Sequence, residues 1–482
     1  MKSVELKTIC AAVNGRLIGR RRGMVSGVAT DTRELTRGDA FFALVAKRDG
    51  HEFVAEARRA GASVVVVSEH VSIPRGSTAI LVGDTLKALG DLAAWYRRTM
   101  PATVIGITGS NGKTTTKEMI ARVLAAAAPT IKSPESFNNA IGVPRTLFEI
   151  EPGDVYGVVE MGTSAPGEIR RLARIARPQI GVITNIAPTH LAGLGNIKGV
   201  AVEKGCLIEE LPPGGAAVLN VDNHWCRELA ERSPAHVITF GIDENALVRA
   251  TGLEASASAI RFEALGTKFV MPVIGRHNVY NALAAVAVCV HLGLDIDLIR
   301  DRLAGFRLPP MRMQRVEAGD VTILNDAYNA NFESMLAAIR EYARLPGPGR
   351  KVVVCGDMLE LGEQSEEIHR QVGKRIAAAE FDLLVAIGDE ARQIAAGAAA
   401  NGMPRDNVLH CRNVDAACEV LPGLVEPRDT LLLKASRGMR LENVVDVVAS
   451  HRPAETPVWT DAGHVYHAFR APAERESVGM QE

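Results

Sequence analysis

The sequence predicts an α/β protein whose centre is a mostly parallel sheet flanked by helices, with a smaller α/β domain on either side of it in the chain. Three observations predict this. Short apolar runs alternate with helix-spaced segments along residues 1 to about 450, as strand-helix-strand units do. A β-branched run, Ala102-Thr-Val-Ile-Gly-Ile-Thr108, passes through Gly109-Ser-Asn-Gly112 into a segment with Met119/Val123 and Ile120/Leu124 at helical spacing. The length, 482 residues, exceeds one ordinary core, so about three domains are expected.

Residues 1–99 form the first predicted domain. It contains a buried-strand run, Val64-Val-Val-Val67, and a helical stretch from Thr85 to Arg98. Two polar segments, Asp31-Thr32-Arg33 and Lys47-Arg48-Asp49-Gly50-His51-Glu52-Phe53, read on their own as solvated turns.

Residues 100–308 form the central domain, of the P-loop type. Gly109 and Gly112 permit a loop whose backbone N–H groups point at a phosphate chain, with a helix N-terminus behind it. Lys113 reaches the terminal phosphates and Thr114 can ligate magnesium. The usual pattern also has glycine six positions before the lysine, where this chain has Ile107, so the match is to a variant, Thr108-Gly-Ser-Asn-Gly-Lys-Thr-Thr115. Glu160 ends the run Val155-Tyr-Gly-Val-Val and supplies a carboxylate at a strand terminus, where a second oxygen ligand is wanted. His190, after the strand from Ile180, reads equally as a ligand or a structural histidine. Lys204 reads on its own as a surface lysine. Asn278 and Asn281 share a helix face and are suited either to a base edge or, for Asn278, to capping.

Leu308-Pro309-Pro310 breaks the pattern and marks a linker. Residues 309–452 then read as a Rossmann-like C-terminal domain. One strand from Val321 ends in the polar cluster Asp326-Ala-Tyr328-Asn329-Ala-Asn331, and another, from Lys351, leads to Gly356-Asp357-Met358. A third enters Lys434-Ala-Ser436-Arg437, ahead of a helix with Leu441, Val444, Val445 and Val448 on one side. Arg437 is suited to a carboxylate. Residues 453–482 lose all periodicity and are expected to be a flexible tail.

Fifty-five basic and 56 acidic residues give a net charge of −1, so nothing calls for nucleic acid and acidic ligands must be met locally. Seven scattered cysteines, with no Cys-x-x-Cys pair, read as reduced thiols of a cytoplasmic protein. The N-terminus lacks the apolar core of a signal peptide, and the most apolar stretch, Ala282 to Leu294, is too short to span a bilayer. A soluble monomer without membrane insertion is expected.

Together these residues resemble the Mur ligase family, in the family's order over residues 1 to about 450. Thr108 to Thr115 is similar to its ATP loop and His277-Asn278-x-x-Asn281 to its adenine-side motif. Asp326 to Asn331 and Gly356-Asp357-Met358 resemble signatures of the member that adds D-alanyl-D-alanine to UDP-N-acetylmuramoyl-tripeptide. The resemblance implies ATP and magnesium as cofactors, with Thr114 and Glu160 on one ion. Glu160, His190 and a carbamylated Lys204 would hold a second. It implies that Arg312 and Asp326 contact the nucleotide and that Asp31, Thr32 and Arg33 seat the UDP group. Asn138, Asn139, Tyr328, Asn329 and Asn331 would lie on the substrate side, and Lys434, Ser436 and Arg437 near the incoming dipeptide. The chain departs from the family at Phe332, where proline is usual, at Cys206, where glutamate is common, and at Thr32, where serine is commoner.

The implied reaction makes an amide through an acyl phosphate, giving a UDP-muramoyl-pentapeptide for peptidoglycan. Catalysis would rest mainly on Lys113, Glu160, His190 and Lys204, with the C-terminal domain closing over the central one. The alternatives are a sister ligase that adds another amino acid or extends folate with glutamate, and a P-loop switch. Against the switch, the chain has no Asn-Lys-x-Asp base-reading motif.

Overall fold

The computed structural model describes residues 1–68, 77–256 and 258–452. They fall into two compact units that divide between Pro309 and Pro310. The predicted tail, 453–482, lies outside the described residues.

The first unit is organised by a seven-stranded sheet. Its order is Val248–Arg249, His236–Gly241, Ala216–Asn220, Ile180–Ile183, Thr103–Thr108, Tyr156–Glu160, Thr130–Lys132, and every pairing is parallel. Strands buried on both faces need continuous apolar sequence, and Ile180–Ile183 and Ala216–Asn220 are buried throughout. One face packs on the helices Lys113–Leu124 and His277–His291, in a core containing Met119, Ile120, Leu283 and Val286. Thr103–Thr108 sits where the chain order reverses, and the loops after this strand and its neighbours share one edge, where open parallel sheets place ligands.

Residues from the N-terminal segment pack into the same molecule through a second core. Val4, Ile9, Phe42, Val64 and Ile80 join Leu89, Leu92 and Tyr96 of the helix Thr85–Arg98 and, beyond them, Val104, Val159 and Leu172. That shared core makes Met1–Pro309 one compact unit. The N-terminal sheet has the order Arg16–Gly19, Thr78–Leu81, Val64–Val67, Ala40–Phe42, Val28–Ala29, with only the first pairing antiparallel. An antiparallel three-stranded ribbon, Thr251–Ala255, Ile260–Ala264 and Thr267–Met271, interrupts the alternation expected for residues 100–308. Its signal is the two-residue period of Ile260, Phe262 and Ala264, which are buried, against Arg261, which is exposed.

The second unit holds a six-stranded sheet in the order Gln314–Ala318, Val321–Asn325, Thr430–Lys434, Lys351–Gly356, Leu383–Ile387, Val408–Cys411. Only the first pair is antiparallel. The helix Glu442–His451 packs Val444, Val445 and Val448 into its core, as their spacing predicts. All seven cysteines are free thiols; five are buried, and Cys10 and Cys418 are half-buried. Among the described residues no helix is long and apolar enough to cross a membrane.

Candidate active site

The phosphate loop is shaped by two glycines in left-handed conformation, Gly109 (φ +150°) and Gly112 (φ +80°). A Cβ on Gly109 would meet the Thr184 hydroxyl at 1.9 Å and one on Gly112 the Asn281 side-chain oxygen at 2.3 Å, so both positions require glycine. The neighbouring strand end grips the loop: Ser110 N–H donates to the Asn185 carbonyl (2.9 Å), Asn111 N–H to Asn185 Oδ1 (2.9 Å) and Thr184 Oγ1–H to the Asn111 carbonyl (2.5 Å). Helix Lys113–Leu124 starts immediately behind, and the Lys113 ammonium donates to the Gly109 carbonyl at 2.7 Å, curled over the loop it would leave for a phosphate.

Glu160, at the end of the adjacent strand and almost fully buried, faces this loop. Its Oε2 accepts the Thr114 hydroxyl at 2.9 Å and its Oε1 the Asn138 amide at 2.9 Å. A hydroxyl and a carboxylate converging beside a phosphate loop are oxygen donors of the kind a hard divalent cation takes, so these residues fit magnesium. Lys204, 1 % exposed, lies on the helix Ile197–Glu209, close enough to Lys113 for the two charges to interact. Burial, reinforced by the nearby Lys113 charge, holds its amine well below the usual lysine range. His190 is half-buried with a left-handed backbone (φ +54°) and immediately precedes a short helix, Leu191–Leu194.

Asn278 and Asn281 sit near the start of His277–His291, one turn apart, but both amides are buried and internally bonded. Asn278 donates to the Ile274 carbonyl (2.8 Å), Asn281 donates to Asn278 Oδ1 (2.9 Å), and Asn281 Oδ1 accepts the Thr116 hydroxyl (3.2 Å). They stand behind the phosphate loop as its support. Asn139 is exposed, and its side-chain oxygen accepts Ile141 and Gly142 N–H, opening the helix Gly142–Phe148. Asp31 and Arg33 close on each other, with Arg33 Nε 2.9 Å from Asp31 Oδ1, and the guanidinium lowers the Asp31 carboxyl to about 2. Thr32 lies half-buried between them.

In the second unit, Asp326 Oδ2 pairs with Lys434 Nζ at 2.6 Å and Oδ1 accepts Met313 N–H at 3.0 Å, while Lys434 also donates to the Asn329 carbonyl (3.0 Å). The Arg312 guanidinium lies 4.2 Å from the centroid of the Tyr328 ring and that of Arg437 5.9 Å, so both cations face one aromatic ring. Asn331 caps the helix Phe332–Arg344 in a reciprocal box with Ser334, which Phe332 leaves intact. Arg437 also pairs with Glu442.

Two family models match the sequence, the Mur ligase middle domain over residues 107–289 and the Mur ligase glutamate ligase domain over residues 311–437. The UDP-N-acetylmuramoyl-tripeptide--D-alanyl-D-alanine ligase of Escherichia coli (strain K12) is 36% identical over 92% of this chain and 98% of its own length. The chain belongs to the Mur ligase family. The Bacillus subtilis (strain 168) ligase of the same name is likewise 36% identical over 92% of this Mur ligase and 98% of its own length. A crystal structure of MurF from Acinetobacter baumannii superposes with a TM-score of 0.85 at 29% identity, covering 93% of this chain and 99% of that one. MurF ligase from Thermotoga maritima, solved in complex with ADP, gives 0.78 at 29% identity over 88% and 97%.

Side chains outside the sequence-predicted set also pack around these residues of this Mur ligase. Lys117, in the helix Lys113–Leu124, is fully buried and donates to the carbonyls of Ser133 (2.8 Å) and Glu135, fixing the segment that leads to Asn138. Glu118 offsets its charge at 3.2 Å. Cys206, standing where the family commonly has glutamate, takes a hydrogen bond from Arg170 (3.3 Å), and Arg170 finds its carboxylates one turn on, at Glu209 and Glu210.

Proposed function

We propose that this Mur ligase uses ATP to join the amine of D-alanyl-D-alanine to the free carboxylate of UDP-N-acetylmuramoyl-tripeptide, making the UDP-muramoyl-pentapeptide in the cytoplasm. The observation that carries the reading is the convergence on Glu160. One of its oxygens meets the phosphate loop through Thr114 and the other meets the Asn138 segment, in a chain collinear over 92% of its length with ligases of that name.

A carboxylate is inert to amines because its oxygen is a poor leaving group. In the proposed reaction the tripeptide carboxylate attacks the γ-phosphorus, ADP leaves, and the amine of the dipeptide then attacks the acyl carbon and expels phosphate. The backbone N–H groups from Gly109 to Thr115 would hold the phosphates, and Lys113 would turn from Gly109 to offset charge on the transferred group. Thr114 and Glu160 would hold magnesium. His190, Glu160 and Lys204 would hold a second ion only with Lys204 as its carbamate, since among the described residues no three His, Cys, Asp or Glu side chains gather into a metal site. When bound, the ions supply charge neutralisation at the phosphates. The suppressed basicity of Lys204 supports carbamylation, because carbon dioxide adds to the free amine.

From the second unit, Asp326 keeps lone pairs on both oxygens for ribose hydroxyls, and Lys434 orients it. Arg312 would contact the nucleotide, with Tyr328, Asn329, Ser436 and Arg437 toward the dipeptide. Residues 1–99, through Asp31 to Arg33, would seat the UDP group. Asn278 and Asn281 would act on ATP from behind the loop.

The test is mass spectrometry after incubating the protein with ATP, magnesium, UDP-N-acetylmuramoyl-tripeptide and D-alanyl-D-alanine. Pentapeptide with equimolar ADP is expected. ADP released equally with and without the dipeptide, and no pentapeptide, would overturn the ligase assignment.

A further inference from the structure

The stretch Gly356-Asp357-Met358 marks the chain as sequence but does nothing in the reaction just described, and a fully buried histidine behind it does nothing either. His369 lies on the helix Ser365–Ala378 with no exposed surface. Its Nε2 accepts Met358 N–H at 3.0 Å and its Nδ1 lies 2.7 Å from the Ser365 carbonyl. A carbonyl only accepts and a peptide N–H only donates, so the two contacts together require the neutral ring with its proton on Nδ1. Burial, which depresses the basicity of His369, favours the same form.

The backbone on both sides of Met358 holds Ser436. Ser436 N–H donates to the Asp357 carbonyl (3.1 Å), and Leu359 N–H donates to Ser436 Oγ (2.9 Å). Ser436 Oγ–H in turn reaches the Ala330 carbonyl (3.3 Å), and Arg437 N–H reaches Asn329 Oδ1 (3.3 Å). The Asp357 side chain is fixed from the other direction, where Oδ1 accepts Ala391 N–H at 2.7 Å. Three loops from three strand ends thus lock together at Ser436. His369 is the side chain that pins the middle one.

We infer that His369 is a positioning residue for the dipeptide: it sets the 357–359 turn, and through that turn Ser436 and Arg437, without touching substrate. The inference rests on the proposed placing of Ser436 and Arg437 at the dipeptide.

Steady-state kinetics of full-length His369→Leu, His369→Gln, Ser436→Ala and the double variant His369→Leu/Ser436→Ala test it. His369→Leu is expected to raise KM for D-alanyl-D-alanine about tenfold while KM for ATP and for the UDP-tripeptide moves less than twofold. His369→Gln, whose amide oxygen can accept Met358 N–H, is expected to recover most of the loss. In the Ser436→Ala background the His369→Leu change should add little. An unchanged dipeptide KM, all three KM values rising together, or full additivity in the double variant would overturn it. If His369→Leu does not fold, the glutamine variant decides: a dipeptide KM raised beyond that of Ser436→Ala would also overturn it. Absence of pentapeptide from the unaltered protein would instead reject the ligase reading.

Discussion

An amine combines with carbon dioxide only when it carries no proton, and Lys204 is kept in that state by burial and by the charge of Lys113. Ligation by protein held in bicarbonate-depleted buffer is therefore expected to rise when bicarbonate is restored, and Lys204→Ala to show low activity with no such response. Equal response in both would reject the carbamate. The position also shows why single residues resist reading: in sequence a lysine next to Glu203 looks solvated, and only the burial of the helix Ile197–Glu209 around it reveals otherwise. His369 yields a second expectation at this scale. Its unfolded ring takes up a proton as pH falls through about 6.5, while the buried ring, with basicity lowered by burial, resists until lower pH. The unfolded state then binds more protons, so stability is lost as pH falls below about 6.5 and is fully present above it. Urea midpoints between neutral and mildly acid pH should drop for the parent and drop less for His369→Gln. Identical slopes would count against a neutral buried ring.

Elements were more legible than residues. The helix expected from Thr85 to Arg98 forms over those residues, and the strand, glycine loop and helix about Lys113 form as Thr103–Thr108 and Lys113–Leu124, because apolar period, glycine placement and length all agree there. The three-stranded ribbon is hard to read in the sequence because its two-residue period is short and partly polar. What the pattern of the phosphate-loop helix hid was its second job. Through Lys117 it also anchors the Ser133 to Glu135 segment, and thereby Asn138 and Glu160. Lys117→Met leaves two carbonyls short of a donor, at about 1–3 kcal/mol for each one buried. A melting temperature lowered by several degrees and a raised KM for the UDP-tripeptide are expected. A variant that melts like the parent would show that the clamp is dispensable.

For the whole molecule, the Leu308-Pro309-Pro310 break coincides with the division into two compact units. Proline's fixed φ and missing N–H stop both helix and ladder, which is why this feature was readable from the chain alone. The proposed reaction calls on Lys113 and Glu160 from one unit and on Asp326 and Arg437 from the other. Lengthening the break by several Gly-Ser pairs in the full chain should therefore lower kcat for ligation far more than it weakens ADP binding measured by calorimetry. Equal losses would argue against joint action. The pattern of thiol burial gives a way to test whether the units move during the reaction: five cysteines are sealed in cores, and the two half-buried ones, Cys10 and Cys418, fall one in each unit. The natural chain thus already carries a donor and an acceptor handle for paired fluorophores, and energy transfer between them would follow the units through a turnover with no cysteine added or removed.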